Sequence, residues 1–273
     1  MQDSKKREIR IKADSFRVKC KISRYGIIDL FKECGRLGYK LLRYPLGESA
    51  DLGFTIKKDN DIVIFINSSS RLSREIFTLA HEIGHAILHL EGNSPFIDNN
   101  ITINGRCPDE REQEANYFAA CLLMPADDVD RFIDLEVQNF CEKGLSAIDI
   151  VRIMSEFNVS FEMALNRLKS LGIIDQNQKL CLDNEKVEKR VGNLLRSVGG
   201  NARLNEPDNV IDIPYEYIDY VIYNYNHNAV PKETLEKVLA CYQLTVEDVS
   251  DKLVAFLDDD DTDLDELIGG LDD

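Results

Sequence analysis

The chain has 273 residues, 44% of them hydrophobic and 30% charged, and no apolar run near the roughly 20 residues a membrane-spanning helix needs. Its net charge of −16 repels phosphate, which argues against nucleic acid as the primary ligand. Seven scattered cysteines without a CxxC pair fit reduced thiols better than a disulfide framework or a cysteine zinc cluster.

The first 24 residues carry nine lysines and arginines, from Lys5 to Arg24, with no apolar run or cleavage site behind them. That is not a secretory signal, and with the thiols it predicts a cytoplasmic protein. Residues 22–42 repeat apolar side chains at helical spacing (Ile27, Leu30, Phe31, Cys34), weakened by Gly26, Gly35 and Gly38. Residues 43–51 read as a loop. GFTI and IVIFIN, either side of a KKDND turn, predict a β-hairpin. Asn67 and Ser68 to Ser70 offer N-cap chemistry for a helix from near Arg71 to about Leu90.

A polar loop follows, with Gly92, Pro95 and Gly105, and then a second helix in DEREQEANYFAACLLM that Pro125 stops. Asp127 or Asp128 is a candidate cap for the next helix. Residues 145–174 hold two helical patterns joined at Asn158-Val159-Ser160 and closed by Gly172. Beyond residue 175 the chain is polar until IPYEYIDYVIYNYN and ETLEKVLACYQLTVEDVSDKLVAFL, which read as helices. The end, LDDDDTDLDELIGGLDD, reads as a solvated acidic tail. The expected class is α+β: a core of residues 1–144, a helix-turn-helix-like module at 145–178, and a helical extension with the acidic tail at 179–273.

Chemistry concentrates in HEIGHAILH, residues 81–89. Positions four apart stack on one helical face, so His81 and His85 can reach one ion at zinc's preferred bond length of about 2.0–2.1 Å. Glu82 sits about 100° further round the helix, placed to take a proton from a water beside the ion. This HExxH arrangement is the metallopeptidase signature. A structural zinc site, or simply packed polar residues, is the blander alternative. Gly84 costs about 1 kcal/mol inside a helix, which makes sense where another backbone passes close by. His89 is a poor third ligand, because three rings would span about 12 Å of helix. It is expected to support or pack beside the site. In the second helix, Ala115, Phe118, Ala119 and Leu122 define a buried face that Glu112 borders, while Glu114 lies about 200° away. Glu112 is therefore the candidate third ligand, and Asn116, one turn on, is placed to hydrogen-bond a ligand histidine.

FTLAHEIGHAILH followed by EQEANYFAACLLMP resembles the ImmA/IrrE family of bacterial metallopeptidases, over roughly residues 22–174. The resemblance implies a small zincin-like core and a Zn²⁺ site with His81, His85 and Glu112 as ligands and Glu82 as catalytic base. It also implies a protein substrate, a DNA-binding repressor of the helix-turn-helix kind, whose cleavage relieves repression. The alternative is a regulatory binding protein that displaces a repressor without cutting it, the zinc being structural.

Smaller signals are weaker. Cys107 invites a thiolate latch on the metal, although a lone loop cysteine is usually nothing more. His227 is the one histidine outside the motif and reads as an exposed loop residue. The 146–172 segment lacks the basic helix a DNA reader needs and reads as packing. The IVIFIN strand would accept a substrate as an added strand if its edge were open, and would not if it lies inside the sheet.

Overall fold

The computed structural model describes residues 1–47, 49–58, 61–90, 96–98, 109–138, 140 and 144–253. They form two compact units, Met1–Pro214 and a second beginning at Tyr215.

The first unit is a mixed α+β structure around a four-stranded sheet. In chain order its elements are α1 (Asp3–Arg17), α2 (Leu30–Arg36), β1 (Lys40–Tyr44), β2 (Gly53–Lys58), β3 (Asp61–Asn67), α3 (Leu72–Leu88) and β4 (Phe96–Asp98). Helices follow: α4 (Glu110–Leu123), α5 (Ala126–Glu136), α6 (Ala147–Phe157), α7 (Phe161–Ser170), α8 (Gln176–Lys189) and α9 (Val191–Ser197). The sheet order is β1-β3-β2-β4. The expected hairpin is present, with Gly53 opposite Ile66 and Lys58 opposite Asp61. β3 lies inside the sheet, parallel to β1 and antiparallel to β2, so its edges are not open to an added strand. β1 was not expected. Residues 22–42 form a helix only over Leu30–Arg36, and Gly38, at φ +93°, turns the chain into the strand.

Alternation in the hairpin sorts its two faces. Gly53, Thr55, Ile64 and Ile66 turn toward α3, while Phe54 and Phe65 stack on the other face at 5.0 Å. A Cβ on Gly53 would lie 2.9 Å from Thr78 Cγ2 and 3.0 Å from Glu82 Oε1, so the missing side chain lets α3 lie close against β2. α3 buries Ile76, Leu79, Ala80 and Ile83, worth about 1.5–3 kcal/mol for each large side chain.

The start of α3 is met differently from expectation. Asn67 Oδ1 accepts from Leu46 N and Ser69 N in a local turn, while the first amide of the helix, Leu72 N, donates to Glu206 O at 2.9 Å. α4 begins and ends as its sequence indicates, with Asp109 accepting from Arg111 N and Pro125 following Met124. Its last carbonyls are held by two guanidinium groups, Arg17 on Leu122 O at 3.0 Å and Arg167 on Met124 O at 2.8 Å. Asp127 and Asp128 fall inside the first turn of α5 and do not cap it. The α6–α7 joint sits at Asn158, in the left-handed region at φ 55°, and Ser160 caps α7. Both helices bury apolar faces in the common core.

The second unit packs α10 (Glu216–Asn226) and α11 (Lys232–Cys241) around Val221, Ile222, Leu235, Leu239 and Val249. His227 ends α10, exposed and stacked on Tyr223 at 4.0 Å. Among the described residues no helix is long and apolar enough to cross a membrane. Cys107 and the acidic tail lie outside the described residues.

Candidate metal centre

The centre is built where α3 crosses α4. A Cβ on Gly84 would meet Ala115 Cα at 3.2 Å and Phe118 Cδ1 at 3.1 Å, so this glycine is where the two helices approach. The close crossing brings His81 and His85 of α3 to Glu112 of α4, and all three are buried. The two Nε2 atoms are 3.0 Å apart. Glu112 Oε1 is 3.3 Å from His85 Nε2, and Glu112 Oε2 is 3.4 Å from His81 Nε2. A tetrahedral ion with bonds of about 2.0–2.1 Å separates its ligand atoms by about 3.3–3.4 Å, so each carboxylate oxygen stands from one ring nitrogen at the spacing such an ion requires.

The proton inventory around the rings leads to the same geometry. Asn116 Oδ1 lies 3.0 Å from His81 Nδ1 and accepts its hydrogen, leaving His81 Nε2 with a lone pair. The second ring is set by a longer chain. His89 Nε2 donates to the Glu114 carboxylate at 3.0 Å, so His89 Nδ1 is an acceptor and takes the hydrogen of His85 Nδ1, also at 3.0 Å. Burial pushes the His89 pKa below its ordinary value despite the Glu114 hydrogen bond, in keeping with a neutral ring. Lys5 on α1, 3.4 Å from Glu114 Oε2, supports the carboxylate's charge. Both Nε2 lone pairs thus face each other across 3.0 Å with a carboxylate beside them. That arrangement is repulsive without a cation between them, and it accommodates one.

Glu82 is fully buried and points to the sheet, not to α4. Thr55 Oγ1 on β2 donates to Glu82 Oε2 at 2.5 Å. Sequence reasoning missed Thr55, Glu114 and Lys5. The only local hint of Thr55 was its place beside Gly53 on the inward face of the hairpin. Nothing in the Glu114 spacing pointed to it, because its role depends on how far α3 carries His89 past the crossing.

A mixed sheet over a helix that offers two histidines, with a carboxylate from the next helix, defines the zincin-like class. The comparisons agree with that assignment. The peptidase M78 family, described as the IrrE N-terminal-like domain, matches residues 34–169, about half of the chain. The chain belongs to this ImmA/IrrE family of peptidases. It is also similar to the uncharacterized immunity region protein 2 of Bacillus phage phi105, with 36% identity over 74 residues. That match covers 27% of this chain and 45% of the relative, so the chain spans less than half the length of the relative it matches.

Proposed function

We propose that the protein is a zinc-dependent endopeptidase that cuts a DNA-binding repressor and so relieves repression. The observation that carries the metal reading is the convergence of His81 Nε2, His85 Nε2 and the Glu112 carboxylate, the nitrogens 3.0 Å apart and each 3.3 or 3.4 Å from one carboxylate oxygen, with both histidine tautomers set to face inward. When bound, zinc supplies Lewis acidity and lowers the pKa of water to about 7. The chain supplies the rest. Glu82 accepts the proton of the attacking water and returns it to the leaving amine, and Thr55 fixes the carboxylate for that work. Asn116 and the Glu114–His89 pair hold the ligand rings in register. Membership of a peptidase family supports cleavage, and the relative named for an immunity region supports a repressor as the substrate.

The test compares new protein N-termini in cells expressing the wild type or Glu82→Gln, which leaves the three proposed ligands intact. A cut inside a DNA-binding regulator that depends on Glu82 is the expected outcome. Relief of repression by Glu82→Gln equal to that of the wild type would exclude proteolysis and favour displacement of the repressor without cleavage.

A further inference from the structure

A cavity of about 680 Å³, lined in part by Asn116, opens between α3, α4, α7 and α8. Its volume lies in the range of small-molecule sites, about 300–1,000 Å³. Phe77, Phe161, Met154 and Met163 supply apolar wall. In a chain of net charge −16, the charge on that wall is reversed: Arg71, Arg74, Arg167 and Lys186 line it against a single carboxylate, Glu162.

Arg167 is the informative member. It is 5% exposed, its Nε donates to Met124 O, and its Nη2 reaches Cys121 Sγ at 3.7 Å. Among the described residues no carboxylate lies within 4.0 Å of it. Arg17 does the same work two residues earlier, on Leu122 O, and has Asp128 at 3.0 Å as its counter-charge. The end of α4 offers both guanidinium groups about half a negative charge, which cannot neutralise two cations. A buried cation without a counter-charge is costly, and an anion entering the cavity would relieve that cost. Guanidinium groups suit phosphate and carboxylate alike, through paired N–H donors. Lys186 Nζ lies 5.7 Å from the Phe161 ring, so cationic and aromatic surface adjoin in the same wall.

We propose that this cavity binds a small anion with an apolar body, its phosphate or carboxylate head held among Arg71, Arg74, Arg167 and Lys186 and its body against Phe77 and Phe161. The cavity shares Asn116 with the metal centre, and Asn116 holds His81, so an occupant bears on the ring assigned to the metal. Only that last link rests on the peptidase reading. Calorimetry reads binding without cleavage, so the two ideas fail separately.

The experiment titrates the full chain with phenyl phosphate, benzoate and uncharged benzyl alcohol. The expected result is saturable one-to-one binding of phenyl phosphate, benzoate or both, with benzyl alcohol at least about tenfold weaker. The head that binds more tightly identifies the ligand as phosphate- or carboxylate-bearing. Arg167 supports the fold, so the variant is Arg71→Gln with Lys186→Gln, two side chains that make no hydrogen bond or ion pair among the described residues. It should weaken the anion by about tenfold while the far-UV circular dichroism stays unchanged. Benzyl alcohol binding as tightly as the anions, an unchanged affinity in the folded variant, or no saturable anion binding below about 10 mM would each overturn the proposal.

Discussion

Glu112 and Glu114 are two residues apart on α4, yet the structure gives them different distances from the metal and therefore different weights. Glu112 touches both ligand nitrogens, so Glu112→Ala removes one of three ligands. Glu114 acts through two hydrogen bonds, first to His89 and then to His85. Truncating it removes a charge-assisted bond at a histidine whose side chain is 7% exposed. Such a bond is worth about 1.5–3 kcal/mol. Converted at 1.4 kcal/mol per decade, that is about 10–100-fold in zinc affinity, the same range found when an outer partner of a metal-bound histidine is lost. Loss of a direct ligand should exceed about 100-fold. The assay is competition for zinc against a fluorescent chelator, with each variant's fold checked by circular dichroism. His89→Ala should match Glu114→Ala, and the double variant should be no weaker than either single one, because both break the same chain. Equal affinities for Glu112→Ala and Glu114→Ala would refute the ligand assignment. A wild-type affinity for Glu114→Ala would refute the hydrogen-bond chain.

Three further outcomes follow from the packing. Gly84→Ala gains about 1 kcal/mol of helix propensity but places a methyl 3.1–3.3 Å from Phe118 and Ala115, an overpacking cost of about 1–3 kcal/mol. Gly35→Ala in α2 meets nothing within 4 Å and should stabilise by about 0.5–1 kcal/mol, so urea denaturation of the zinc-free protein should give opposite signs for the two. Thr55→Val removes the donor to Glu82 and should lower kcat/KM on a cleaved substrate by about 10–100-fold with zinc content unchanged; loss of zinc with it would mean that Thr55 supports the fold of the centre instead. Burial raises the Glu75 carboxyl from 4.5 to about 7, despite the ion pair with Arg43 at 2.8 Å. The folded state therefore holds more protons between those values, and the stabilisation present below pH 4.5 is lost as pH rises through about 7. Glu75→Gln should flatten that fall in melting temperature across about pH 5–7, and a slope equal to the wild type would refute the shift.

Elements whose instructions are local were legible in the sequence. Pro125 stops α4, Asn158 and Ser160 shape the α6–α7 joint, and the alternation of IVIFIN builds the hairpin. Elements that depend on distant partners were not. α1 buries only Ile9, Ala13, Phe16 and Arg17, an i, i+4, i+7, i+8 stripe hidden among lysines, arginines and acidic residues, and its purpose appears only against α4. KLLRY looked like the tail of a helix because its strand character comes from pairing with β3, 23 positions along, and because Arg43 is buried on ion pairs with Glu75 and Asp208. α8 has a weakly apolar face, and its start is readable only as the Asp175–Gln178 capping box within an otherwise polar stretch.

The candidate site divides along the same line. The i, i+4 spacing of His81 and His85 and the helical phase of Glu112 are one-dimensional information, and in the structure the three converge. Asn116, one turn after Glu112, is legible in the same way, whereas Glu114 and Thr55 reach the centre from α4 and β2 only after Gly84 and Gly53 let those elements close on α3. Both glycines carry the same physical message: a missing Cβ where two backbones must approach. That makes the α3 crossing the place where fold and chemistry are most tightly joined. A substitution that pushes α4 away by a few tenths of an ångström moves Glu112 and Asn116 together, and so disturbs both a proposed ligand and the tautomer of its neighbour. Gly84→Ala should therefore weaken zinc binding as well as stability, whereas Gly35→Ala, on a helix that contributes nothing to the centre, should leave zinc affinity unchanged.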